Sequence, residues 1–156
     1  MINNDILRSI RYMLDLSDPK VVEIVGLADP AFVVGKDEIR PLLLKEDEPG
    51  FVACSDALLA RFLDGLIVFR RGRDPRQAAR PIEPRISNNV VLKKLRVAFE
   101  LTDADMHQIF DEAGFPVTKP ELSALFRLAG HRNFRPCGDQ LLRNFLKGLT
   151  LRVRAG

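Results

Sequence analysis

The sequence predicts an all-α protein built from two tandem, pseudo-symmetric four-helix repeats, and three observations lead to that prediction. Residues 51–66 return as residues 134–149 at an offset of 83, with nine of sixteen positions identical. Apolar residues recur at spacings of three and four, which is the period of one helical face. The sequence shows no clear alternation of apolar and polar residues of the kind found in half-buried strands. Because an internal repeat should use one backbone solution twice, we expect the same helices in both copies.

The first helix of each copy is predicted from its apolar spacing. The apolar positions are 6, 7, 10 and 14 in copy one and 91, 92, 95 and 99 in copy two. An asparagine pair lies just before them in each copy, at positions 3 and 4 and at positions 88 and 89. Since asparagine is a favoured N-cap, we expect one member of each pair to cap its helix.

The second and third helices are predicted from the residues that start them. Residues 17–19 of copy one read Ser-Asp-Pro, with proline suited to the first turn, and Thr102 takes the capping position in copy two. Gly114 is expected to stop the second helix of copy two. Thr118 and Glu121 then match a capping box, which predicts the start of the third helix.

The fourth helix is expected to begin near Ser55 in copy one and near Gly138 in copy two. One face of it in copy one presents a stripe of large apolar side chains: Leu58, Leu59, Phe62, Leu63 and Leu66. Burying each of them is worth about 1.5–3 kcal/mol relative to exposure. We expect this stripe to meet its counterpart in the other copy or the first helix of its own copy.

The charges divide the chain into three segments. Residues 1–69, an acidic helical repeat, hold seven Lys or Arg and twelve Asp or Glu. Residues 70–87, a basic linker, hold six Arg and two acidic residues. Residues 88–156, a basic helical repeat, hold eleven Lys or Arg and seven Asp or Glu. Because three prolines and a glycine interrupt residues 70–85, we expect the linker to be an extended Pro/Arg-rich tether.

The basic residues are the strongest functional signal in the sequence, although they are spread along the chain. A surface formed by them could neutralise phosphates, which makes nucleic acid or another anion a candidate partner. Two alternatives stay open: cations near helix C-termini are favoured by the helix dipole, and the acidic repeat could pair with the tether. The candidate anion-binding residues are Arg70, Arg71, Arg73, Arg76, Arg80, Lys93, Lys94, Arg96, Arg152 and Arg154.

The middle of copy two also has the rhythm of a helix-turn-helix. A recognition helix there would expose Lys119, Ser123 and Arg127. The corresponding part of copy one is flanked by the acidic residues 46–48, which disfavours contact with phosphates, and two-helix hairpins are common in any helical protein.

The repeat signature Phe-x-x-Cys-x-Asp contains both cysteines of the chain. A thiol just before a helix N-terminus can have a lowered pKa and become reactive. The neighbouring aspartate opposes thiolate formation, however, so a structural role is preferred, with each aspartate capping a helix or lying in its first turn. The signature residues are Phe51, Cys54, Asp56, Phe134, Cys137 and Asp139.

The motifs of the common enzyme classes are absent from the sequence. It has no glycine-rich phosphate-binding loop and no nucleophile elbow, and its two histidines, His107 and His131, lack metal-binding spacing. We therefore expect no catalytic residue, no cofactor and no metal. No apolar run reaches the roughly 18–20 residues of a membrane span, and the N-terminus lacks the pattern of a signal peptide. We expect a cytoplasmic protein without a membrane partner, and self-association stays open.

Four segments together resemble the YehS-like family of bacterial proteins. They are residues 4–12, residues 45–51, residues 88–96 and the stretch that starts with Cys-Gly-Asp-Gln at residue 137. The resemblance covers essentially the whole chain and implies a small, duplicated, cytoplasmic bacterial domain of unknown function. It implies no catalytic or binding residues.

Three functional hypotheses follow from the residues themselves. The first is a non-enzymatic helical binding module, with an accessory or regulatory role, that contacts an anionic partner such as nucleic acid. The second is a protein–protein adaptor without nucleic-acid contact. A thiol-dependent enzyme is a minor third.

Overall fold

The computed structural model describes residues 1–73 and 81–156, and within these residues it contains α-helices and one 3-10 turn but no strand. The chain divides into two units, Met1–Ile86 and Ser87–Gly156. The helices of the first unit are α1 (Asn3–Leu14), α2 (Asp18–Ala28), α3 (Lys36–Ile39), which runs into the 3-10 turn (Arg40–Leu43), and α4 (Asp56–Arg71). Those of the second unit are α5 (Asn88–Ala98), α6 (Asp103–Glu112), α7 (Lys119–Leu125) and α8 (Asp139–Ala155). The predicted four helices per copy are confirmed.

Most helix boundaries follow the residues that predicted them. Ser17 caps α2, and Thr102 caps α6 by accepting the amide of Asp105 at 3.1 Å. The capping box of α7 is complete: the Thr118 hydroxyl accepts the Glu121 amide at 3.2 Å, and the Glu121 carboxylate accepts the Thr118 amide at 3.1 Å. Beyond α6 the chain turns at Gly114, whose φ of +76° suits glycine.

The expected capping role of the asparagine pairs is wrong. The N-cap of α1 is Ile2, and the N-cap of α5 is Ser87, whose hydroxyl accepts the amide of Val90 at 3.2 Å. The asparagines are instead the first two residues of each helix. Since the first-turn position frees their side chains from capping, they are available for longer-range bonds.

The predicted stripe of α4 is buried. α4 contacts α1 of its own copy, which is one of the two partners predicted for it, but its main partner is α2. Within each unit the fourth helix packs most closely on the second, α4 on α2 and α8 on α6. A methyl group on Gly65 would lie 1.8 Å from the carbonyl oxygen of Ile24, and one on Gly148 would lie 2.3 Å from that of Ile109. Each glycine therefore lets two helices cross with their backbones in contact, because any larger residue would push them apart.

Candidate functional site

The second asparagine of copy one closes a surface loop. Its side-chain amide donates to the carbonyl oxygens of Leu42 at 3.0 Å and Val52 at 2.9 Å. The side-chain oxygen of the same residue, Asn4, accepts the backbone amide of Cys54 at 2.9 Å. Asn4 is only 1% exposed, so one buried side chain holds both ends of the segment between residues 42 and 52.

Copy two repeats this arrangement bond for bond. Asn89 donates to the carbonyl oxygens of Leu125 at 2.9 Å and Arg135 at 3.0 Å, and it accepts the amide of Cys137 at 2.8 Å. The nine residues between the two carbonyls form what we call a clamped loop. The first clamped loop comprises residues 43–51 and the second residues 126–134.

The first asparagine of each pair joins the same region to the fourth helix. Asn3 donates to the Cys54 carbonyl at 3.1 Å and to the Asp56 carboxylate at 2.7 Å. Asn88 makes the same two bonds in copy two, at 2.9 and 2.8 Å. The bond from Asn3, followed by one from the Ile86 amide, lowers the pKa of Asp56 below its usual value. The first-turn position predicted for both signature aspartates is confirmed, because they begin α4 and α8.

The two cysteines lie inside these clamps, where their thiols stay protonated. Both are free and almost fully buried, at 6% and 5% exposure. Burial raises the pKa of Cys54 to about 12, and the nearby charge of Asp56 adds to this effect. Burial also raises the pKa of Cys137 to about 11. A thiol that is not ionised at neutral pH is a poor nucleophile, so the geometry supports the structural interpretation of both residues.

The two clamped loops differ in charge although their frames are the same. The first contains one lysine and three acidic residues, Lys45 and Glu46–Glu48, for a formal charge of −2. The second contains Arg127 and Arg132, for a formal charge of +2 with His131 neutral. All of these side chains are exposed. The divergence in charge between the copies is therefore displayed at matching positions on their surfaces.

Two of the predicted anion-binding residues are engaged within the second unit. Arg96 pairs with the Asp103 carboxylate at 2.5 Å and lies 4.8 Å above the ring of Phe126. Arg152 pairs with the Asp105 carboxylate at 2.7 Å. These contacts tie α5 and α8 to the start of α6, so both guanidinium groups have a local structural role.

The other predicted residues fall into four groups. Lys94 is only 7% exposed, so little of its surface is available to an external phosphate. Arg73 donates a hydrogen bond to the carbonyl oxygen of Leu27. Arg76 and Arg80 lie outside the described residues. The remaining four are exposed, and they are Arg70, Arg71, Lys93 and Arg154.

The helix-turn-helix hypothesis is only partly matched by the geometry. Lys119, Ser123 and Arg127 are all exposed, as a recognition helix would require. However, α7 spans only Lys119–Leu125, so Arg127 lies beyond the helix and belongs to the second clamped loop. The exposed cations of this region are thus presented mainly by a loop.

Sequence reasoning missed Arg132 and Leu128 of the second clamped loop. Leu128, which lies between Arg127 and Arg132 in the sequence, is 84% exposed. The signal was present in the repeat alignment. At the offset of 83, the acidic residues 46–48 of copy one align with Ala129, Gly130 and His131 of copy two, which carry no acidic group. Only the shared clamp shows that these stretches are equivalent surfaces.

The family model described as "Protein of unknown function (DUF1456)" matches residues 3–72 and 88–155. The chain belongs to this family. It is also 47% identical over 152 residues, which cover 97% of this chain and 96% of the relative, to "Uncharacterized protein YehS" from Escherichia coli (strain K12). The resemblance to the YehS-like family is confirmed. No solved structure matches significantly. None of the described helices is long and apolar enough to cross a membrane.

Proposed function

We propose that this protein is a non-enzymatic helical binding module that contacts an anionic partner through its second unit, with nucleic acid as the class of partner. The observation that supports this proposal is the pair of clamped loops. Their asparagine–cysteine frames are the same, yet their formal charges are −2 and +2. A duplication that keeps the frame and changes the displayed charge fits a division of binding tasks between the copies.

Electrostatics favours a phosphate polymer for the second unit. Exposed arginines and lysines neutralise phosphates and release the counterions condensed on them. This release supplies most of the free energy of binding that does not depend on base sequence. Arg127 and Arg132 of the loop are exposed, as are Lys93 and Arg154 of the predicted set. The proposed role is accessory or regulatory, and the proposed compartment is the cytoplasm, where both thiols would stay reduced.

Thiol-dependent catalysis is the weaker alternative for a physical reason. Raised pKa values of about 12 and about 11 leave almost no thiolate on Cys54 and Cys137 at neutral pH. Catalytic cysteines have the opposite shift and a more exposed thiol.

Salt-dependent binding tests the proposal. The full chain is titrated against fluorescent DNA and RNA while anisotropy is recorded between about 50 and 200 mM salt. We expect the logarithm of the association constant to fall linearly with the logarithm of the salt concentration. Peptide nucleic acid of the same base sequence, which has no phosphates, is the control and should not bind. Absence of binding near 50 mM salt, or an affinity that salt does not change, contradicts the proposal.

A protein–protein adaptor is the second candidate, and the acidic clamped loop of the first unit favours it. Glu46 and Asp47 are exposed there and would suit a basic protein surface. A pull-down from nuclease-treated lysate should then retain a partner that E46Q/D47N loses. The matched control, E23Q/D37N, removes the same charge from other exposed positions of the first unit and should retain it.

A further inference from the structure

The second clamped loop combines an apolar tip with cations on both sides. Its ends meet at one atom, because the backbone amides of Arg127 and Arg135 both donate to the carbonyl oxygen of Ala124, at 3.4 and 3.1 Å. The amide of His131 donates to the Leu128 carbonyl at 2.9 Å, which closes a tight turn at the tip. Leu128 is 84% exposed at this tip. The loop is therefore a compact projection with a defined shape.

Its cations differ in their availability. Arg135, at the neck, pairs with the Glu121 carboxylate at 2.5 Å. For Arg127 and Arg132 the described part of the chain offers no carboxylate within ion-pair distance, and both are exposed. In addition, His131 accepts the Asn133 amide on Nδ1 at 3.0 Å, so its neutral ring has a proton on Nε2 that it can donate. The projection thus presents two guanidinium groups and one further donor around an apolar tip.

Two kinds of anionic partner could take an apolar tip with basic flanks: a nucleic acid and an anionic membrane surface. A membrane is the poorer fit, because even a whole myristoyl chain gives only marginal binding and Leu128 is the loop's only fully exposed large apolar side chain. Nucleic acid needs less apolar surface, since sugars and base faces lie beside the phosphates. Asn133 is also exposed, and its side-chain amide can form hydrogen bonds to sugar or base atoms.

We infer that the second clamped loop is the surface that binds nucleic acid, with Arg127 and Arg132 on phosphates and Leu128 packed against sugars or bases. This inference rests on the proposed function and adds to it the site and the division of roles within the loop. The asparagine clamp is the device that positions the loop, because it fixes both ends of the projection to α5.

The test compares neutralised variants of the full chain by fluorescence anisotropy with DNA at several salt concentrations. R127Q/R132Q should bind about tenfold more weakly for each lost phosphate contact near 0.1 M salt. The salt slope, which is the slope of the logarithm of the association constant against the logarithm of the salt concentration, should become shallower by about 0.9 for each lost contact. The matched control is R143Q/K147Q, which removes the same charge from exposed positions of α8. It should bind almost as the unchanged protein does.

A second variant separates the apolar contact from the ionic one. L128A should weaken binding severalfold without changing the salt slope, because an apolar contact releases no counterions. L128K introduces the residue type that copy one has at the equivalent position, Lys45. This variant should instead make the salt slope steeper, because it adds a cation. Unchanged thermal melting of every variant is expected, since all five side chains substituted in these variants are exposed.

The outcomes distinguish the inference from the proposed function. If the unchanged protein binds DNA and R127Q/R132Q binds equally well, the inference is wrong and the proposed function stands. If the unchanged protein does not bind DNA or RNA, both are wrong. Binding to vesicles of anionic lipid, but not to nucleic acid, with the same dependence on Arg127, Arg132 and Leu128 would overturn the inference in favour of a membrane contact.

Discussion

Replacing Gly65 by alanine should destabilise the first unit, although alanine is the better helix former. A Cβ atom there would lie 1.8 Å from the carbonyl oxygen of Ile24, whereas real Cβ atoms essentially never approach within 3.0 Å. The two helices must then separate by roughly 1 Å, which removes a substantial part of their dispersion contacts. Overpacking of this severity costs about 3 kcal/mol, and helix propensity returns about 1 kcal/mol. We expect a net loss of about 2 kcal/mol.

Gly148 and Gly26 provide a graded comparison within the same chain. A Cβ on Gly148 would lie 2.3 Å from the carbonyl oxygen of Ile109, so G148A should cost less, about 1 kcal/mol. Gly26 lies inside α2, and a Cβ there would have no heavy atom within 4 Å. G26A should therefore stabilise the protein by about 0.5–1 kcal/mol.

Thermal melting and urea unfolding followed by circular dichroism measure these differences. For a unit of this size, each kcal/mol corresponds to a shift in melting temperature of about 4–8 °C. Melting temperatures in the order G26A, unchanged protein, G148A and G65A, from highest to lowest, would agree with the structure. A G65A variant as stable as G26A would refute the close crossing of α2 and α4.

Three further predictions concern the clamps, the thiols and one helix cap. N4A should destabilise the protein by about 3–5 kcal/mol, because it removes three hydrogen bonds and leaves buried groups unpaired. N89A should behave similarly. Urea unfolding measures both variants, and a loss of stability below about 1 kcal/mol would contradict the clamp. Cys54 and Cys137 should resist alkylation near pH 8.5, where an ordinary thiol is half ionised, and react once urea unfolds the chain. Folding raises the pKa of both thiols, so the stability that the protonated thiols contribute is complete below about pH 8.5 and is lost as the pH rises towards 11 and 12. A free energy of unfolding that increases over this pH range would contradict the prediction. T118A should cost about 1 kcal/mol through loss of the α7 cap, whereas T118S should retain the cap and serve as its control in thermal melts.

The helices could be predicted from the sequence because their signals are local. Apolar spacing and capping residues act within a few positions, as at Thr102 and Thr118, and the structure agrees at both. The asparagine pairs were misread for the same reason. Asparagine before an apolar run looks like a cap, and nothing local shows that Asn4 bonds to residues 38 to 50 positions away.

The candidate site was predicted only in outline. The total charge and its division between the copies were readable, and so was the expectation that any function would follow that division. Which cations are presented was not readable, because Lys94 and Arg152 look as available as Arg132 in a linear sequence. In the folded chain Lys94 is buried and Arg152 pairs with the Asp105 carboxylate of α6. Neither fact can be predicted from the linear sequence.

The sequence by itself determined the duplication, the four helices of each copy and their apolar faces, because each depends on identity or spacing along the chain. The tertiary structure alone decided that the fourth helix meets the second at a glycine and that Asn4 and Asn89 close equivalent loops. It also showed that Arg127, Leu128 and Arg132 are all exposed on one loop whose ends are held together. These features depend on hydrogen bonds and contacts between residues far apart in sequence, whose energies exist only once the chain has folded.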